Sequence, residues 1–306
     1  MIELRRIDHV CLRVADLDEA APRWAVQFGL HQRERRDGRA YLACGYEPYS
    51  LELVASEQPG HDHTGFELRR HVTLAAAARH LNDCGVAYEE RAGVLHLRDP
   101  DGNGVELLPH RASDDRRPAI ARQTTTLAGF RPRKLGHVNC LTADAARASA
   151  FYRDVLGMRL TDWLGDGGVW LHVNADHHVQ AFVDKGYAHF HHLAFDFTDF
   201  GELRVAFDHL AQHGRWLGWG PVRHGVGQNI CGYVRIPEEE CFVELYVDME
   251  QLEPDHEPRE WPDDRFSSNT WGPLPPRSYF RFDAAAIESE ARSLETLGHP
   301  LAPLES

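Results

Sequence analysis

Gly136-His137-Val138-Asn139, His191-His192-Leu193-Ala194-Phe195 and Phe242-Val243-Glu244-Leu245-Tyr246 decide how this chain is read. Each is a short run rich in apolar, β-branched or aromatic residues, the pattern of a largely buried strand. Each also carries a side chain able to ligate a metal. A lone histidine in a strand is more often a packed core residue, and a lone buried glutamate must be paired. Three such side chains on converging strands change that reading. Two neutral imidazoles and a carboxylate form the 2-His-1-carboxylate triad, which holds Fe(II) by one face and leaves the other positions open. His137, His192 and Glu244 are the expected ligands.

Outward from this core, the two halves of the chain repeat. Ile7-Asp8-His9-Val10-Cys11-Leu12 echoes Leu135-Gly136-His137-Val138-Asn139-Cys140-Leu141, with an offset of 128 from His9 to His137. The same offset sets Trp24 on Tyr152, Phe28 on Leu156 and Gly29 on Gly157. Helices are expected over residues 18–28 and 73–84, and a hairpin joins residues 94–98 to 105–108 across Asp99-Pro100-Asp101-Gly102-Asn103-Gly104. Two β-α-β-β-β units per half follow, giving an α+β fold of curved mixed sheets that close around a pocket. The expected boundaries are 1–112, a linker over 113–133, a metal-binding domain over 134–250 and a tail over 251–306. From His137 to His192 is 55 residues, and the same count from His9 lands on Thr64. The first half then keeps His9 and Glu106 but lacks a middle ligand, so no metal is expected there.

At 306 residues the length suits two domains. Hydrophobic residues make up 42% and charged residues 26%, ordinary for a globular chain. The net charge of −14 argues against nucleic acid and anionic membrane surfaces as partners. No apolar run is long enough for a transmembrane helix, and a signal peptide is not evident, so a cytoplasmic protein is expected. Its six cysteines lack CxxC spacing and read as reduced thiols.

The repeat, the triad and their neighbours resemble the vicinal oxygen chelate superfamily, and within it the two-domain type I extradiol catechol dioxygenases. Trp271-Gly272-Pro273 and Pro276-Arg277-Ser278-Tyr279 are most similar to the homoprotocatechuate 2,3-dioxygenase branch. The resemblance implies a non-haem Fe(II) enzyme that uses O₂ to open a catechol beside its two hydroxyls. Mn(II) accepts the same ligand set. It implies that His178 is the acid-base group facing O₂, a task for a side chain titrating near neutrality. His224 and Tyr233 would contact the substrate oxygens, and Asn139, Trp170, His172 and Trp219 would line the pocket. Homo-oligomerisation is expected from relatives of this shape, and the tail is expected to lie over the pocket mouth.

Two departures stand out. Where the family has an Asp-Pro-x-Gly turn, this chain has Ile236-Pro237-Glu238-Glu239-Glu240-Cys241, read as a solvated hairpin tip. Where the homoprotocatechuate branch has arginines for a substrate carboxylate, this chain has Trp219 and Ser267-Ser268-Asn269-Thr270. A carboxylate clamp needs a guanidinium, so an apolar or aryl-substituted catechol is expected. The rival readings are a lyase or isomerase of the same superfamily, and a small-molecule binding or resistance protein on the same scaffold.

Overall fold

In the computed structural model, which describes residues 1–45, 47–111 and 130–288, the alternating runs form two mixed sheets. The first contains β1 (Leu4–Val14), β2 (His31–Arg36), β3 (Arg39–Ala43), β4 (Leu51–Ala55), β5 (Gly60–Leu68), β6 (Tyr88–Arg91), β7 (Val94–Arg98) and β8 (Gly104–Leu108). Their order is β2-β3-β4-β1-β5-β8-β7-β6. The second contains β9 (Lys134–Thr142), β10 (Arg159–Leu164), β11 (Gly168–His172), β12 (Gln180–Asp184), β13 (His189–Asp196), β14 (Leu217–Arg223), β15 (Ile230–Ile236) and β16 (Cys241–Val247). It runs β14-β15-β16-β13-β9-β12-β11-β10, the same order read from the other edge. A short β17 (Arg259–Trp261), which the alternation does not announce, extends this edge in parallel beside β10.

One helix follows the first strand of each unit: α1 (Leu17–Phe28), α2 (Leu74–Asp83), α3 (Ala145–Ala150) and α4 (Phe200–Gln212). Asp16 caps α1 by accepting from the backbone N–H groups of Asp18 and Glu19. The paired positions of the repeat share one role, since Trp24, Tyr152, Phe28 and Leu156 are all buried. Gly157 ends its helix at φ 72°, and a Cβ there would lie 2.1 Å from the Ile2 carbonyl oxygen. Both the left-handed conformation and the close approach require glycine.

The glutamate run is not a solvated tip. Glu239 is 1% exposed and takes two bonds from the Arg23 guanidinium, at 3.1 and 2.6 Å, and one from Trp24 Nε1 at 3.2 Å. Glu238 pairs with Arg215, which also donates to Gln27. The turn reaches across to α1 and joins the two sheet units. Charged residues there signal a hydrogen-bonded joint, which polarity alone cannot distinguish from solvent exposure.

Thr64 is not the middle position of the first triad. β5 pairs with β1 so that His63 lies opposite Cys11, and β13 pairs with β9 so that His192 lies opposite Asn139. His63 is therefore the counterpart of His192, and Thr64 points to the other face. A one-residue slip in a strand always reverses the face.

The expected linker falls largely on residues 112–129, outside those described. Next to it, Phe130 is buried and Arg131 donates to the Cys44 carbonyl. All six cysteines are free, with Cys84 exposed and the others buried. No helix among the described residues is long and apolar enough to cross a membrane.

Candidate metal centre and substrate cavity

Strand register builds the site. Ala194 of β13 lies between His137 of β9 and Glu244 of β16, and Glu244 lies beside Tyr233 of β15, which lies beside Trp219 of β14. Five neighbouring strands thus contribute to one row on one face. His192, two residues from Ala194, points to the same face. The small side chain of Ala194 leaves a hollow between its larger neighbours.

In that hollow Glu244 Oε2 lies 2.9 Å from His137 Nε2 and 3.2 Å from His192 Nε2. One ligand atom from each residue lies within 4.8 Å of the others, and all three residues are buried. Asn229 donates to the other carboxylate oxygen at 2.7 Å, leaving Oε2 for the centre.

Hydrogen bonds decide which nitrogen His192 presents. His191 Nε2 lies 2.9 Å from the Tyr279 carbonyl and must donate to it. Its Nδ1 therefore accepts, at 2.8 Å, from His192 Nδ1–H. His192 Nε2 is left with a bare lone pair facing the Glu244 carboxylate. Burial pushes His192 below its ordinary value and keeps it neutral. Burial opposes the charge of Glu244, but His137 beside it outweighs this and holds the carboxyl well below the usual carboxylate range. A bare imidazole nitrogen facing an ionised carboxylate calls for a cation, and the donor set fits a divalent metal. His137 Nδ1 has no hydrogen-bond partner among the described residues.

The same logic applies to His178. Asp162 Oδ2 accepts from His177 Nε2–H at 2.9 Å, so His177 Nδ1 accepts from His178 Nδ1–H at 3.0 Å. His178 is left with an unprotonated Nε2, and its ring packs 4.2 Å from that of His137. It does not titrate near neutrality as expected: burial and the histidines around it push it well below its ordinary value. It rests as a base.

His224 Nδ1–H donates to the Ser268 carbonyl, so its Nε2 accepts from the Tyr233 hydroxyl at 2.8 Å. Burial raises the Tyr233 phenol well above its ordinary value, and it stays a neutral hydroxyl.

A cavity of about 320 Å³ opens on this face. His137, His178, His192, His224, Tyr233 and Glu244 line it, together with Asn139, Trp170 and Trp219. Asn139 Oδ1 is buried without a partner among the described residues. Pro275, Tyr279 and Phe280 bring the tail into the wall. His172 does not line the cavity. It lies at the far end of β11, beyond Trp170, where its Nδ1 meets Thr161 Oγ1 at 2.6 Å and its ring packs near His256. Sequence reasoning missed His177, His191, Asn229 and Asp162. The doubled His177-His178 and His191-His192 were the available signal for the first two, and nothing in the sequence marked Asn229.

Residues 6–107 and 134–232 match the model of the Glyoxalase/Bleomycin resistance protein/Dioxygenase superfamily. The chain belongs to this superfamily. Among its relatives, metapyrocatechase 2 of Cupriavidus necator is 32% identical over 310 residues, covering 90% of this chain and 91% of that protein. The manganese-dependent 2,3-dihydroxybiphenyl 1,2-dioxygenase of Geobacillus genomosp. 3 is 24% identical over 284 residues, covering 85% and 90%. Within the superfamily, the fold is that of homoprotocatechuate 2,3-dioxygenase from Brevibacterium fuscum in its anaerobic substrate complex. That structure superposes with a TM-score of 0.79 at 22% identity, covering 91% of this chain and 92% of that chain.

Proposed function

We propose that this chain is an extradiol dioxygenase, opening the ring of a catechol next to its two hydroxyls with O₂. The observation that carries the reading is the bare Nε2 of His192 set against Glu244 Oε2, with His137 Nε2 beside it. His137, His192 and Glu244 would hold Fe(II), or Mn(II), which the same ligands suit. Held there, such an ion would lower the pKa of a bound catechol hydroxyl and supply the Lewis-acid and redox chemistry for reaction with O₂.

The chain's own groups handle protons. His178 Nε2 takes a proton from the substrate, becomes an imidazolium and later returns that proton, so it serves as base first and acid second. Its Nδ1–H stays donated to His177 Nδ1 throughout, and His177 is in turn tied to Asp162, so the proton is exchanged at Nε2. Tyr233 offers an oxygen lone pair to a substrate hydroxyl because its own proton is committed to His224 Nε2. It can accept a proton only by passing its own to His224. Asn139 Oδ1, otherwise without a partner among the described residues, can accept from the substrate.

The cavity favours a catechol with an apolar or aryl substituent. Trp170, Trp219, Leu164, Val183, Pro275 and Phe280 form its apolar wall. Among the described lining residues the cationic side chain is Lys185, whose Nζ already sits 4.4 Å over the Phe280 ring. No guanidinium lines the described wall to hold a substrate carboxylate in a bidentate clamp. Against a panel of alkyl-, aryl- and carboxyalkyl-catechols, the Fe(II)-loaded protein is expected to form yellow ring-opened product fastest from the first two. A preference for the carboxylated member would overturn the substrate assignment, and no product from any member would overturn the activity.

A further inference from the structure

The first sheet carries a second constellation of ligands. His9 of β1, His63 of β5 and Glu106 of β8 occupy the register positions of His137, His192 and Glu244. His9 Nε2 lies 3.1 Å from His63 Nε2, and Glu106 oxygens lie 3.1 Å from His63 Nε2 and 3.7 Å from His9 Nε2. Gly65 stands where the second sheet has Ala194. A Cβ there would come 2.4 Å from His9 Cε1, so glycine alone leaves room for the ring.

A fourth ligand has no counterpart in the second site. Glu52 of β4 lies opposite Cys11, the position that Ala181 holds opposite Asn139. Its Oε2 is 3.8 Å from His9 Nε2, while its Oε1 is occupied by Arg39. One ligand atom each of His9, Glu52 and His63 lies within 4.8 Å of the others, and all three residues are buried.

Both rings are oriented from behind. Asp8 Oδ1 binds His9 Nδ1 at 3.0 Å, and Asp62 Oδ2 binds His63 Nδ1 at 2.8 Å. With each Nδ1–H donated to a carboxylate, the two Nε2 lone pairs face one another at 3.1 Å. That contact is repulsive unless a metal ion or a proton lies between. A carboxylate behind each imidazole is the arrangement that supports metal-bound histidine.

We propose that the N-terminal domain binds its own divalent cation, of the zinc class, through His9, His63, Glu52 and Glu106. Bonds of about 2.0–2.1 Å in a tetrahedron set ligand atoms roughly 3.3 Å apart, against 3.1–3.8 Å from His9 Nε2 to the other three residues and 3.1 Å from His63 Nε2 to Glu106. Four protein ligands close the coordination sphere, which is the mark of a structural site, whereas three leave it open for chemistry. The ion therefore serves to pin β1, β4, β5 and β8 together. This assignment is independent of the proposed ring cleavage.

The test is a Zn(II) titration of chelator-treated full-length protein, counting bound ions per chain. Wild type is expected to bind two, His192→Gln one, and His192→Gln combined with His63→Gln none. The ion retained by His192→Gln should raise its melting temperature. Should the double variant fail to fold, Glu52→Ala in the His192→Gln background serves instead, with Zn(II) affinity expected to fall by at least about 10-fold. A His192→Gln protein that binds no ion overturns the proposal. So does one whose bound ion is indifferent to His63 and Glu52. The first of these results would leave a shared proton as what lies between the two rings.

Discussion

His191 Nδ1 sits 2.8 Å from His192 Nδ1 and thereby fixes the tautomer that His192 presents to Glu244. The chain starts at the Tyr279 carbonyl, so the C-terminal tail takes part in preparing the metal ligand. Replacing His191 by Phe preserves the ring's bulk against Phe242 and Tyr279 but removes the acceptor. Fe(II) affinity at the triad should fall by about 10- to 100-fold, measured by competition with a chelator. Unchanged affinity would show that the relay is incidental.

His177 holds the same relation to His178. His177→Phe leaves His178 in the cavity wall with its tautomer unfixed. We expect kcat to fall by about 10- to 100-fold with KM and metal content retained. That loss is smaller than the roughly 100- to 10 000-fold that losing His178 itself would bring. Equal losses in kcat and metal content would instead assign His177 to the integrity of the site.

The joint between the two units depends on a buried ion pair. Arg23→Met strands the Glu239 carboxylate and should destabilise the protein by about 3–5 kcal/mol, read by denaturant unfolding. Adding Glu239→Leu should recover most of that, because the cost lies in the unpaired buried charge. If Arg23→Met is neutral, the joint does not depend on the pair.

Much of this was legible in the sequence because sheet burial leaves a local signature. His137, His192 and Glu244 each sit in a short apolar run, and such runs become adjacent strands. The repeat was legible through Trp24 and Tyr152, Phe28 and Leu156, whose bulk and spacing survive because both fill cores. What failed was counting across loops. The 55-residue spacing gave Thr64, whereas the local pattern His63-Thr64-Gly65-Phe66 against His192-Leu193-Ala194-Phe195 carries the true register. Bulges interrupt both strand pairs near these histidines, so residue counts there do not report facing. Glu239 was misread because a charged turn looks alike whether water or Arg23 satisfies it. His172 shares a strand with Trp170, but sequence does not say where along the strand a cavity ends.

The most direct test of the central claim compares wild type with Glu244→Gln. Both proteins are supplied with Fe(II) without air, then given an aryl- or alkyl-substituted catechol and oxygen, while visible absorbance is followed. The wild type should turn yellow, and Glu244→Gln, still folded by circular dichroism, should stay colourless. Equal colour from both, or none from an iron-loaded wild type, would contradict the assignment of His137, His192 and Glu244 as the centre of a ring-cleaving enzyme.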